Sequence, residues 1–305
     1  MEKHRKKLIK NAAVFDGHSS GLVQGKKIVI EDDIVTEITA DEVSEENFDE
    51  VFDGTGMVAM PGMTDAHVHM GCLFAKGEFP VDYATVLTVA KCKDALMAGF
   101  TTFRDAGSVS EGLKLAFDEG VLPGPRIYPC GAYISQTCGH RDSEYAHTYR
   151  DIQYRHPSST VLADGVPEII RAVREQFYRG ASHIKLMATE ILNRHEDIRL
   201  LFGTDMMITG PDYQVEQSED IRYYEKRFGT MRALRALTGT ANEVFALTTY
   251  QNPYPKGKIG VLEARSYADL LLVDGDPTKS VSVLADTDHL RLIMKGGTVY
   301  KNTLC

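Results

Sequence analysis

At Met63 the rhythm of the chain changes, and the change dictates its architecture. Before it, from Leu8 to Met60, short apolar-polar alternations are broken by turn residues: LIKNAAVFDG, GKKIVIEDDIVTEIT around an Asp-Asp turn, and VFDGTGMVAMPG. Strand side chains alternate between faces with period two, so this part reads as a small sheet. After Met63, strand-like runs (TDAHVHM, AGFTTFRDAG, PRIYPCGAY, ASHIKLMAT, RLLFGTD) alternate with helical stretches such as TVLTVAKCKDALM and VPEIIRAVREQFYRG. Such alternation builds parallel βα units, each helix returning the chain to the start of the next strand. Past about Pro253 the strand-and-turn character returns in GKIGVLEARSYADLLLVDGDP and HLRLIMKGGTVYKN. The two ends are therefore expected to pair into one sheet domain, residues 1–57 with 254–305, flanking a βα domain over 58–253.

Charge narrows the range of partners. Lys and Arg total 34 against 43 Asp and Glu, a net charge of -9. That balance offers no basic footprint for nucleic acid and none for an anionic membrane surface, which leaves a small-molecule substrate as the expected partner. The five cysteines (Cys72, Cys92, Cys130, Cys138, Cys305) are odd in number and lack zinc-finger spacing. Reduced thiols in a cytoplasmic setting are expected, with Cys130 and Cys138 as buried side chains. The basic start MEKHRKKLIK is not followed by an apolar segment, and no run is long enough to span a bilayer.

Several residues could carry chemistry. In MPGMTDAHVHM, His67 and His69 stand two apart on an expected strand, so both imidazoles leave one face and could grip one metal ion. By itself a His-x-His pair is more often two unrelated surface or core residues. Lys185 reads equally as a surface lysine, and Asp205 as a helix N-cap before MMITGP. His140 and Asp142 lie in a glycine-containing loop after an expected strand, where barrel enzymes display substrate contacts. Arg104 and Asp105, at a strand end, pair with each other or brace the site. His183 alternates with Lys185 and favours structural burial, while His195 in NRHEDI reads as part of a short exposed helix.

Taken together and in order, these segments resemble the metal-dependent amidohydrolase superfamily. Val58 to His69 resembles its first barrel strand, and TTFRDAG the second strand of the subgroup of imidazolonepropionase-like and Xaa-Pro dipeptidase-like enzymes. ISQTCGHRD resembles a loop that normally reads Gly-His-Gly-Asp, from which Arg141 departs. ASHIKLMAT puts Lys185 at the family's metal-bridging lysine, LLFGTD puts Asp205 at its last-strand aspartate, and YADLLLVDGDP is its C-terminal sheet signature. The resemblance implies an α/β fold, a TIM-like (β/α) barrel with a small β-sandwich domain formed from both termini. It implies hydrolysis of a carbon-nitrogen bond (amide, dipeptide or cyclic amide) by a metal-activated hydroxide, Xaa-Pro dipeptides being the subgroup's suggestion. His67, His69, Lys185 and Asp205 would hold a divalent metal, zinc first, with a carbamate on Lys185. Asp205 would orient the hydroxide and move its proton, and His140 and Asp142 would touch substrate.

The family's two further histidines, in segments resembling His-Ala-His and Glu-His-Gly, have no counterpart in this sequence. The interval from Lys185 to Asp205 is too short for four βα steps of roughly 30 residues each, a deficit of about three units. Met63 to Gln251 likewise falls short of the roughly 250 residues of an eight-stranded barrel. EILNRHEDI is shorter than the dozen or so residues of a parallel crossover. The expectation is an incomplete barrel in which the segments of Lys185 and Asp205 are not parallel neighbours and one ion is held. Two functional readings follow: an active metallohydrolase, or an inactive remnant serving as a binding or structural protein. Apolar surface left by the missing units would be covered in a homo-oligomer.

Overall fold

The computed structural model describes residues 5–70, 81–107, 109–137, 160–186, 199–207 and 213–304. Six strands open the chain: β1 (Lys6–Lys10), β2 (Ala13–Val14), β3 (Lys27–Glu31), β4 (Ile34–Thr39), β5 (Glu50–Asp53) and β6 (Val58–Pro61). The central part follows as β7 (Met63–His69), α1 (Val81–Met97), β8 (Phe100–Asp105), α2 (Glu111–Asp118), β9 (Arg126–Tyr128), β10 (Tyr133–Ser135), β11 (Thr160–Leu162), α3 (Val166–Tyr178) and β12 (Met206–Met207). Helices α4 (Tyr213–Phe228), α5 (Thr230–Leu237) and α6 (Gly239–Phe245) lead to β13 (Leu270–Val273), β14 (Leu290–Lys295) and β15 (Thr298–Asn302).

The strands near the two ends form two sheets. One sheet runs β4-β3-β1-β5, with β3 and β4 antiparallel about Asp32 and Asp33, where Asp32 takes a positive φ of 52°. A second runs β15-β14-β13-β6-β2, in which the C-terminal β13 pairs antiparallel with β6, Leu270 opposite Pro61 and Val273 opposite Val58. The run LLLV is apolar at every position because β13 is buried on both faces. Leu270 and Leu272 join Ile9, Ile28, Ile30 and Val35 in one cluster. Leu271 and Val273 face the other way, into a cluster with Val68, Phe100, Phe103 and Leu234. Each such leucine contributes about 1.5–3 kcal/mol by leaving water, so the terminal sheet and the βα part share their stability through one strand.

The βα part is a parallel array in the order β12-β7-β8-β9. Helix α1 connects β7 to β8, and α2, whose N-cap Ser110 hydroxyl accepts from the Leu113 N–H at 3.1 Å, connects β8 to β9. PRIYPCGAY, expected as one strand, is two: Pro129 has no N–H to give a ladder and Gly131 takes φ 71°, so the chain breaks between β9 and β10. The Gln176 side chain of α3 fills the break and accepts the Ala132 N–H at 2.8 Å.

Two further expected strands are corrected. Of ASHIKLMAT, the described part carries only an isolated parallel bridge from Leu186 to Ile134, with the Ile134 N–H donating to the Lys185 carbonyl at 3.0 Å. RLLFGTD runs beside β7 without regular ladder geometry until Met206, which pairs with Val68. Its attachment is nonetheless firm, since Ala66 N–H donates to the Phe202 carbonyl at 2.8 Å and Asp205 N–H to the His67 carbonyl at 2.7 Å. The segments of Lys185 and Asp205 thus join different strands, β10 and β7, as the short interval between them requires. Among the described residues no closed barrel forms, and no helix is long and apolar enough to cross a membrane.

Candidate metal centre

Period two along β7 sends Asp65, His67 and His69 to one face, while Val68 and Met70 pack into the core on the other. The two imidazole rings stand 5.4 Å apart at 64°. His67 Nε2 and His69 Nε2 each lie 3.0 Å from Asp205 Oδ1. One potential ligand atom from each of the three residues falls within 4.8 Å of the others. Lys185 Nζ is 3.1 Å from His67 Nε2. The four residues expected to form a metal site are therefore brought together, although Lys185 and Asp205 arrive from different sides of the open barrel.

The carboxylate of Asp205 is 72% exposed, so it stays reachable from outside. Its backbone is in the left-handed region, φ 55°, which Asp tolerates better than most side chains. Two contacts hold it there. Its N–H is bound to the His67 carbonyl, and Gly203 lets the segment press on β7, where any Cβ would come within 2.7 Å of the His67 Cβ.

Beneath the triad lies a carboxylate that motif spacing did not single out. Asp65 is fully buried; its Oδ1 accepts from the N–H groups of His67 (3.1 Å) and Thr204 (3.3 Å). Its Oδ2 accepts from the Thr204 hydroxyl (2.9 Å) and the Gln217 amide (3.4 Å). Burial pushes its pKa up to about 6, against the pull of these donors. The same period-two spacing that marks His67 and His69 includes Asp65 and was the available signal. Tyr133 was missed as well: its hydroxyl lies 2.8 Å from His69 Nδ1 and so orients that ring.

Burial and nearby positive charge outweigh the Asp205 carboxylate in setting the protonation of His67. Burial is the larger cause and the Lys185 ammonium the next, together lowering its pKa to about 4, so the imidazole is neutral and able to donate a lone pair. His183 is structural, as expected: its Nε2–H donates to the Asp105 carbonyl at 3.1 Å, and burial lowers its pKa to about 3. Arg104 and Asp105 do not pair with each other. Arg104 Nη1 donates to the Ala66 carbonyl at 3.3 Å, and the buried Asp105 carboxyl accepts the N–H groups of Met70 and Val109, both at 3.2 Å. Cys92 and Cys130 are buried thiols. His140, Asp142, Cys138 and His195 lie outside the described residues.

Residues 58–198 match the model of the amidohydrolase family. Among curated relatives, the ochratoxinase of Aspergillus niger is 34% identical over 152 residues, which cover 43% of this chain and 31% of that protein. The match thus spans about a third of the length of the curated relative. Among solved structures, a crystal structure of an amidohydrolase superposes with a TM-score of 0.84 at 23% identity, over 98% of this chain and 100% of the other. A prolidase complexed with N-methylphosphonate-L-proline gives 0.82 at 20% identity, over 97% and 100%. At these identities the structural likeness shows that the fold is shared. The stretch matched by the family model begins at β6 and takes in His67, His69 and Lys185; Asp205 lies beyond it.

Proposed function

We propose that this amidohydrolase-family domain hydrolyses a carbon-nitrogen bond of a small amide, dipeptide or cyclic amide, using a divalent metal held by His67, His69 and Asp205. The observation that carries the reading is the convergence of those three side chains within 4.8 Å, with Lys185 beside them. Two imidazole nitrogens and a carboxylate oxygen are a donor set that zinc takes, and three protein ligands leave a position open, the arrangement of catalytic rather than structural sites. The residues present therefore fit such an ion. When bound, it supplies Lewis-acid charge that polarises a carbonyl and brings the pKa of a water toward neutrality.

The chain's own side chains do the rest. Tyr133 fixes the His69 ring through Nδ1 and leaves Nε2 directed at Asp205. Asp205, exposed and anchored through its backbone, is placed to take a proton from an attacking water and return it to the leaving nitrogen. Lys185 stands where a carbamate on Nζ would add an oxygen donor next to His67. A small-molecule substrate accords with the family, and a cytoplasmic, homo-oligomeric protein remains part of the reading.

The test is metal content per folded chain, measured on protein that unfolds cooperatively, together with turnover of N-acyl amino acids and dipeptides. About one divalent ion per chain, lost together with activity in His67→Ala and Asp205→Ala, is the expected result. A well-folded chain with almost no metal and no turnover overturns the reading.

A further inference from the structure

Arg104 projects from β8 on the same face as its register partner Tyr128 of β9, into the interior of the open barrel. Burial is the main influence on its guanidinium and disfavours the charge. The group is close enough to the metal centre to oppose protonation of His67. Among the described residues, its Nη1 donates to the Ala66 carbonyl at 3.3 Å. Among the described residues no carboxylate forms an ion pair with it, and the adjacent Asp105 is committed to backbone N–H groups. Arg104 is half-buried and lines a cavity, so its guanidinium stays open to an anion that enters there.

The space in front of Arg104 is suited to an anion of a particular kind. It is a cavity of about 230 Å³ whose lining also includes Ser182, His183, Val244, Phe245 and Leu247. His183 is neutral and engaged with the Asp105 carbonyl, and Ser182 Oγ lies 3.0 Å from the Pro129 carbonyl, so neither competes for the guanidinium. Val244, Phe245 and the largely exposed Leu247 give one side an apolar lining, with Thr248 beside them. We propose that Arg104 and this cavity bind a small carboxylate that carries an apolar group, the acid end on the guanidinium and the apolar group against Phe245 and Leu247. A planar, bidentate carboxylate matches the guanidinium fork. The site does not need the metal, since none of the triad residues lines the cavity.

The experiment is calorimetric titration of the full chain with N-acetyl-L-leucine and, separately, with its methyl ester. The free acid should bind at least about tenfold more tightly than the ester, because the ester cannot accept two charge-assisted hydrogen bonds. Arg104→Gln should lose at least about tenfold in affinity for the acid, and Arg104→Lys, which keeps the charge without the fork, should recover part of it. Leu247→Trp, which fills the cavity from its apolar side, should weaken binding while leaving Arg104 intact. His67→Ala should bind the acid as the natural chain does. Equal binding of acid and ester, unchanged affinity in Arg104→Gln and Leu247→Trp, or loss of acid binding in His67→Ala would each overturn the inference. The last of these would assign the acid to the metal centre, and a metal-free chain that still binds the acid would overturn the hydrolase reading alone.

Discussion

The Arg126 guanidinium holds the Asp269 carboxylate through two hydrogen bonds, Nε to Oδ2 at 2.7 Å and Nη2 to Oδ1 at 3.1 Å, across the seam between β9 and the C-terminal sheet. Asp269 is almost wholly buried and also accepts the Gly296 N–H at 2.6 Å, while Arg126 stacks on the Tyr267 ring at 3.8 Å. Removing one partner strands a buried charge. Asp269→Ala is expected to cost roughly 3–5 kcal/mol of unfolding free energy, and a paired Arg126→Met, Asp269→Leu replacement much less than twice that. Denaturant unfolding of the single and double variants decides it; additive losses would mean that the two groups act independently.

Tyr133 offers a test of the metal centre that leaves its ligands in place. The phenol ring packs against Gly107, where a Cβ would meet it at 2.0 Å, and Tyr133→Phe keeps that packing while removing the hydroxyl from His69 Nδ1. Losing an outer partner of a ligating imidazole typically costs 10–100-fold in metal affinity. Zinc affinity by chelator competition should fall in that range with little change in stability. An unaltered affinity would show that the hydroxyl does not orient His69.

Lys295 links stability to pH. It is buried, donates to the Gly124 carbonyl at 2.7 Å, and has its pKa lowered to about 8, first by burial and then by the nearby Arg126 charge. The unfolded chain keeps the ordinary lysine value near 10.4, so between about pH 8 and 10.4 the unfolded state binds more protons than the folded one. Stability therefore rises with pH across that window from this group, and the gain is lost as pH falls back through 8. Subtracting the stability profile of Lys295→Met from that of the natural chain should reveal the slope. A flat difference would mean that Lys295 finds water in the folded state.

Much of the site could be read from local pattern. His67 and His69 share a face because strands alternate, and the distance between them in space follows from the distance in sequence. Helices α1 and α3 lie over the helical stretches TVLTVAKCKDALM and VPEIIRAVREQFYRG, and the open barrel follows from intervals too short to contain the missing units. The pairing of His69 with Tyr133, and of Asp65 with Thr204 and Gln217, could not be read in this way. Those contacts join positions brought together only by the completed fold, and nothing local to YIS or QVEQ announces them. The break in PRIYPCGAY has a local signal, because Pro129 and Gly131 are poor ladder residues set between strand-like flanks.

Because Gly203, Thr204 and Asp205 are fastened directly to β7, the first and last pieces of the barrel meet without any intermediary from the intervening chain. The triad is thus insulated from changes in length between Lys185 and Arg199. A change in the length of that connection is expected to leave the mutual geometry of His67, His69 and Asp205 in place.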